Sequence, residues 1–181
     1  IRRCRRPIVR PLRGNPPMKI RILPFLFTLA STLGLSQPAQ VPPGRAAGLR
    51  GLPLPEGTQA HRDIAYVANG HERQKLDLFL PPGATNPLPL IIWIHGGAWR
   101  AGGKENCPAL RYLERGFAVA SLNYRLCQHA IFPAQIQDCK TAVRWLRLHA
   151  KEYHLDPERF AAWGASAGGH LVALLGTSGG V

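Results

Sequence analysis

Acidic side chains are scarce in this chain. Ten Asp and Glu stand against 23 Lys and Arg, a formal net charge of +13. An excess of that size usually points to a polyanionic partner, but its distribution removes the reading. Residues 1–21 hold eight of the basic groups and no acid, so residues 22–181 carry 15 basic against 10 acidic groups, a net of +5. No nucleic-acid partner is expected from a surplus confined to one end. Cysteine is also sparse: Cys4 lies in the basic leader, and Cys107, Cys127 and Cys139 are an odd number that fixes no disulfide framework. They read as buried free thiols acting as small hydrophobes, with a Cys127–Cys139 pair as the alternative. No CxxC pair or clustered His/Cys spacing suggests a metal.

Methionine occurs once, at Met18, while the chain begins with Ile1. After Met18 come Lys19 and Arg21, an apolar run over residues 22–35 broken by Pro24, and small residues (Gly34, Ser36) before Gln37. This is the order of a secretory signal peptide, and the run is too short to span a bilayer comfortably. Residues 1–17 are therefore read as untranslated upstream sequence and 18–36 as a signal peptide. The expected product is secreted or periplasmic, without a stable membrane anchor after cleavage. Residues 37–57 are rich in Pro, Gly and Ala without periodic apolar positions and read as a linker. The folded part is then 58–181.

Within it, residues 64–68 read as a strand, Asn69-Gly70 as a turn, and Leu76, Leu78 and Leu80 as the alternating face of a second, antiparallel strand. Residues 88–94 and 117–122 are apolar on both faces, as buried strands are. Between them residues 107–115 carry a short helical pattern closed by Gly116. Asp138 reads as the N-cap of an amphipathic helix in which Cys139, Ala142, Val143, Leu146, Ala150 and Tyr153 share one face. Asp156-Pro157 reads as a turn, 160–163 as a third buried strand, and 171–175 as a helix ended by Gly176. Buried strands alternating with helices predict an α/β fold, a mostly parallel sheet preceded by an antiparallel hairpin.

Two motifs carry chemistry. Gly164-Ala165-Ser166-Ala167-Gly168 fits G-x-S-x-G between a buried strand and a helix, the setting of a nucleophile elbow, where Gly164 and Gly168 let strand, turn and helix approach. Directly after the strand over 88–94 stands His95-Gly96-Gly97-Ala98-Trp99. The Gly97 and Ala98 amides, with that of Ala167 at a helix N-terminus, are candidate donors to an oxyanion. His95 and Gly96 are read as structural parts of that loop, and Trp99 and Tyr124 as candidate pocket residues.

With these motifs in place, the sequence from about Asp63 onward resembles the α/β-hydrolase superfamily, in its esterase and lipase group with an H-G-G-G/A oxyanion loop. Residues 123–126 (N-Y-R-L), 132–134 (F-P-A), 138–146 (D-C-K-T-A-V-R-W-L) and 164–171 (G-A-S-A-G-G-H-L) look like the feruloyl and acetyl-xylan esterase-like (BD-FAE-like) group. That resemblance implies a secreted carboxylic ester hydrolase with a Ser, Asp and His triad and no cofactor. Its substrates would be small-molecule or polysaccharide esters, cleaved through an acyl-enzyme on Ser166. The triad acid and base follow the serine in that superfamily. After Ser166 this sequence has no Asp or Glu and only His170. His170 lies in the elbow helix and reads as packing rather than as the base. The triad Asp and His are thus expected to be absent from this chain, which reads as an N-terminal fragment, truncated after the elbow helix and inactive alone. A non-catalytic module that keeps the fold, or a serine peptidase of related fold, are the alternatives.

Overall fold

The computed structural model describes residues 53–179. The upstream segment, the signal peptide and the linker as far as residue 52 lie outside the described residues.

Five strands form one mixed sheet in the order β1-β2-β4-β3-β5. The strands are β1 (Gln59–Ala65), β2 (Lys75–Leu80), β3 (Leu88–Ile94), β4 (Ala118–Leu122) and β5 (Leu155–Gly164), with α1 (Ala134–Leu148) before β5 and α2 (Ala167–Thr177) after it. β1 pairs antiparallel with β2 and β2 with β4, while β3 runs parallel to both β4 and β5. The antiparallel opening and parallel continuation match the expected α/β-hydrolase arrangement.

Alternation along the strands covers both faces of the sheet. Leu76, Leu78, Leu90, Ile92, Ile94, Ala120 and Leu122 belong to the larger cluster, with Cys139, Ala142 and Leu146 of α1 and Leu171 of α2. Phe79, Trp93 and Val119 face the other way and meet Cys107, Ala109 and Leu113 beside a 3-10 helix (Pro108–Arg115). Gly116 closes that helix at φ 78, the left-handed turn that a residue without Cβ adopts readily. Leu54, at the end of the expected linker, packs against this smaller cluster.

Several boundaries differ from expectation. β1 occupies 59–65 rather than 64–68. Tyr66 leaves the strand as a buried side chain whose hydroxyl donates to Asn123 O at 2.8 Å. Asp138 is no N-cap: α1 starts four residues earlier, with Pro133 at the cap position, and Asp138 is buried inside it. Its carboxylate receives the Arg125 guanidinium at 2.7 Å, the Arg125 amide at 2.9 Å and Gln74 Nε2 at 2.7 Å. Asp156-Pro157 belongs to β5. Leu155 pairs with Leu88 and Phe160 with Leu90, so the residues between them form an irregularity in the ladder. α2 begins at Ala167 and runs through Gly176 rather than ending there. Cys107, Cys127 and Cys139 are all free thiols, but Cys127 is exposed. Burial raises the Cys107 pKa to about 11. Among the described residues no helix is long and apolar enough to cross a membrane.

Candidate active site

Sheet register creates the site. Ile94 and Gly164 are partners on neighbouring parallel strands, so His95 and Ala165 leave the same sheet edge side by side. The Ala165 amide donates to Ile94 O at 3.4 Å, and the Gly168 amide closes back on Ala165 O at 2.8 Å. Between them Ser166 takes φ 50 and ψ −118, a conformation that non-glycine residues rarely hold without a compensating role. It stands at the N-cap of α2, yet its hydroxyl makes no capping bond, and the residue is exposed.

The glycines are required by contact. A Cβ on Gly96 would lie 2.6 Å from Ala165 O and 3.3 Å from Ser166 Cβ, so the glycine loop rests directly against the elbow. A Cβ on Gly164 would strike the Gly168 backbone, and one on Gly168 would strike Ile94 O and His95 O. Because those neighbours are backbone atoms, Gly168→Ala must shift either strand end or elbow. A destabilisation of about 1–3 kcal/mol is expected, read from chemical denaturation; an unchanged midpoint would contradict this packing.

The loop after β3 folds on itself, with Gly97 (φ 107), Ala98 (φ 50) and Trp99 (φ 59) all in the left-handed region. Gly97 O accepts the amides of Arg100 at 2.9 Å and Ala101 at 3.0 Å. The amides of Gly97, Ala98 and Ala167 donate to no acceptor among the described residues. Ser166 and three unused backbone donors thus stand on segments that abut through Gly96.

His95 and its neighbours hold the loop. The Arg73 guanidinium donates to His95 Nε2 at 3.2 Å, to Gly102 O at 2.9 Å and, through Nε, to Tyr124 O at 2.9 Å. Arginine can only donate, so Nε2 carries the lone pair and Nδ1–H donates to Gly96 O at 2.7 Å. Tyr124 is not a pocket residue. It is fully buried, stacked on the imidazole at 4.4 Å between centroids, and its hydroxyl donates to His95 O at 3.0 Å. Burial, with Arg73 adding repulsion, holds the His95 pKa below the ordinary imidazole value of 6.5. The unfolded chain then binds more protons at this site than the folded one, so this contribution to stability is lost as pH falls through 6.5 toward the folded value. Acidification should lower Tm, and His95→Asn should flatten that dependence. An identical slope in the two proteins would contradict the assignment.

A second group anchors the far side of the loop. Lys104, buried, pairs with Asp77 at 2.8 Å and with Asp63 at 3.0 Å, and its amide donates to Asn123 Oδ1 at 2.9 Å. Burial acts to lower the Lys104 pKa, but the bonds to Asp77 and Asp63 outweigh it and the net displacement is upward. The Cys127 amide donates to Trp99 O at 2.8 Å, tying the segment after β4 to the glycine loop. Sequence reasoning missed Arg73, Asp77, Lys104 and Asn123 as supports, because the partners of their side chains lie 14 to 51 residues away and leave no local pattern.

One helical turn beyond Ser166, a cavity of about 290 Å³ opens between Trp99, Cys127, Phe132, Gln135, His170 and Leu171. The His170 ring stands edge-on to Trp99 at 5.4 Å, and among the described residues it makes no bond to Ser166 Oγ. Among the described residues no Asp or Glu bonds to Ser166 either. Ligand atoms of His71, Glu72 and His129 lie within 4.8 Å of one another, a grouping that sequence spacing did not reveal. Nδ1 of each histidine already accepts a backbone amide, from Arg73 at 3.1 Å and from Leu126 at 3.2 Å.

Strand, tight elbow and helix beside a glycine loop at the end of the adjacent parallel strand define the esterase type of α/β-hydrolase fold. The BD-FAE family model matches residues 76–181, and the chain belongs to that family. Among curated proteins, Carboxylesterase NlhH of Mycobacterium tuberculosis is 31% identical over 166 residues, covering 89% of this chain and 50% of the relative. Esterase LipQ of the same species is 36% identical over 148 residues, 74% of this chain and 34% of the relative. Among solved structures, a truncated carbohydrate esterase from gut microbiota is 38% identical with a TM-score of 0.61, covering 68% of this chain and 45% of that one. A bacterial heroin esterase is 31% identical with a TM-score of 0.61, covering 75% and 44%. This chain thus spans half or less of the length of these relatives.

Proposed function

We propose that the whole protein containing this chain is a carboxylic ester hydrolase that works through an acyl-enzyme on Ser166. The observation that carries the reading is the exposed, unbonded Ser166 hydroxyl on a strained corner, with three uncommitted amides on the abutting segments. Ser166 Oγ attacks the ester carbonyl, and the oxygen that gains negative charge is held by the amides of Gly97, Ala98 and Ala167. Such donors are worth about 10²–10³ in kcat each because they are fixed in place before the charge develops. Collapse of the intermediate expels the alcohol and leaves an acyl-serine that water hydrolyses. The neutral His95 is committed on both ring nitrogens and takes no part in proton transfer. We assign the base that receives the Ser166 proton, and the acid that orients it, to the part of the whole protein matching the remaining length of its relatives.

The relatives named as esterases support ester cleavage, and the carbohydrate esterase among the solved structures supports polysaccharide-linked esters as candidate substrates. No cofactor is required by this chemistry. Export through the signal-like segment after Met18 is part of the proposal. Recovery of the native product with its N-terminus at Gln37 would support it, and a product retaining Met18 would reject it. The experiment for the activity is pre-steady-state hydrolysis of a chromogenic short-chain ester by the full-length protein. A burst of alcohol equal to the enzyme concentration is expected when deacylation is slow, and a folded protein with no hydrolysis would overturn the reading.

A further inference from the structure

The neutral His95 ring has one proton to place, and its two neighbours decide where. Arg73, half-buried in the turn that leads into β2, presents only donors. Its Nη2 lies 3.2 Å from His95 Nε2, 2.9 Å from Gly102 O and 3.3 Å from Asn123 Oδ1, while Nε donates to Tyr124 O at 2.9 Å. A guanidinium keeps its protons throughout the pH range of folded proteins, so Nε2 must offer it a lone pair and the ring proton belongs on Nδ1. There it meets Gly96 O at 2.7 Å. That bond is closely covered: a Cβ on Gly102 would fall 2.5 Å from Gly96 O and 2.6 Å from His95 Nδ1.

What the bond holds is a peptide plane. Gly96 O and the Gly97 amide belong to one planar trans unit, in which C=O and N–H point in opposite directions. Fixing Gly96 O therefore fixes the direction of the Gly97 N–H, one of the donors assigned to the oxyanion. Glycine stands on both sides of the unit, and without a Cβ on either residue it can turn over at little steric cost. Its aim needs a restraint from outside the loop. With the ring proton on Nε2 instead, N–H would face N–H at Arg73 and lone pair would face lone pair at Gly96 O. Turning the plane to relieve that second repulsion would swing the Gly97 N–H away.

We propose that Arg73 is a positioning residue for ester hydrolysis: by holding His95 in its Nδ1-protonated form it fixes, through Gly96 O, the direction of the Gly97 amide. The role rests on the ester-hydrolase reading of Ser166. Arg73 itself touches no reacting atom and acts through His95, 22 residues away in sequence. Through His95 and Gly102 O it grips both ends of the glycine loop, and through Asn123 and Tyr124 it ties them to the two residues after β4. An amide aimed before charge develops acts on the transition state rather than on the bound ester, so its loss is read in kcat and not in KM.

Tautomer and turnover are measured on the full-length protein, the first by ring-nitrogen NMR with isotope-labelled histidine, the His95 signals being identified by their loss in His95→Asn. Near neutral pH the unaltered protein is expected to show Nδ1 protonated and Nε2 bearing the lone pair. The opposite assignment overturns the proposal without any change at position 73. In Arg73→Met, kcat on a short-chain ester should fall by about a hundredfold, the cost of one oxyanion donor, with KM unchanged. Arg73→Lys, which also only donates, should keep the tautomer and recover about tenfold of that loss. A folded Arg73→Met protein with unaltered kcat, or with a raised KM in place of a lowered kcat, overturns the proposal, as does an Arg73→Lys protein as slow as Arg73→Met. If Arg73→Met does not fold, Arg73→Lys decides alone: Nδ1 protonation and kcat kept or lost together support the proposal, and their separation overturns it. These results leave ester hydrolysis standing. A folded, unaltered protein that hydrolyses no ester would instead reject the Ser166 reading, and with it the role of Arg73.

Discussion

Ser166→Ala is expected to lower hydrolysis of a simple ester by the full-length protein by on the order of 10⁶-fold, the loss seen when a hydrolase of this kind is deprived of its nucleophile. The size follows from the covalent route. Without Oγ no acyl-enzyme forms, and only the rate enhancement from the oxyanion amides and from binding survives. The same change should leave the fold almost untouched, because the hydroxyl makes no hydrogen bond among the described residues and a methyl group occupies less space. Activity and thermal melting must therefore separate: kcat/KM collapses while Tm moves little. A loss below tenfold would remove Ser166 from the chemistry, and a large fall in Tm would show that the hydroxyl has a structural bond that the geometry does not contain.

Lys104→Met should have the largest effect on stability, about 3–5 kcal/mol, because it leaves the Asp77 carboxylate buried without its closest cation. Arg62, mostly exposed and 3.5 Å away, is a poor replacement. The cost belongs to the stranded charge rather than to the ion pair as such. Asp77→Asn introduced into Lys104→Met should then recover more than half of the lost stability, which additive behaviour would not give. Urea denaturation of the two variants measures this, and a double variant as unstable as the sum of its parts would refute it. Lys104 also carries the far end of the glycine loop through its amide and carbonyl, bonded to Asn123 Oδ1 and Ser121 Oγ.

The parts of this molecule that were legible in the sequence are those set by local sterics or by burial on two sides. β3 was readable to its ends because Leu88, Leu90, Ile92 and Ile94 face one cluster while Ile91 and Trp93 face the other. The elbow and the glycine loop were readable because their small residues answer to backbone contacts within a few ångströms. β1 was misplaced because it is largely exposed and carries little apolar pattern, so the stronger signal came from Tyr66 and Val67 beyond its end. The start of α1 is not legible because Gln135, Gln137 and Asp138 are polar and Asp138 has the chemistry of an N-cap, whereas Gln135 and Asp138 are buried against Ala130 O and against Gln74 and Arg125. Tyr124 has the chemistry of a pocket aromatic. Only the fold shows it beneath His95, and only the fold shows Arg73 reaching Nε2, a contact spanning 22 residues.

A tagged phosphonate ester incubated with the full-length protein, followed by proteolysis and mass spectrometry of the modified peptide, addresses the chemistry of this site with the fewest assumptions. One adduct per chain is predicted, located on Ser166 and missing from a folded Ser166→Ala variant. Modification of a different side chain, or none on a protein shown to be folded, would contradict the assignment of the sharp corner beside Gly96 and Gly97 as the reactive centre.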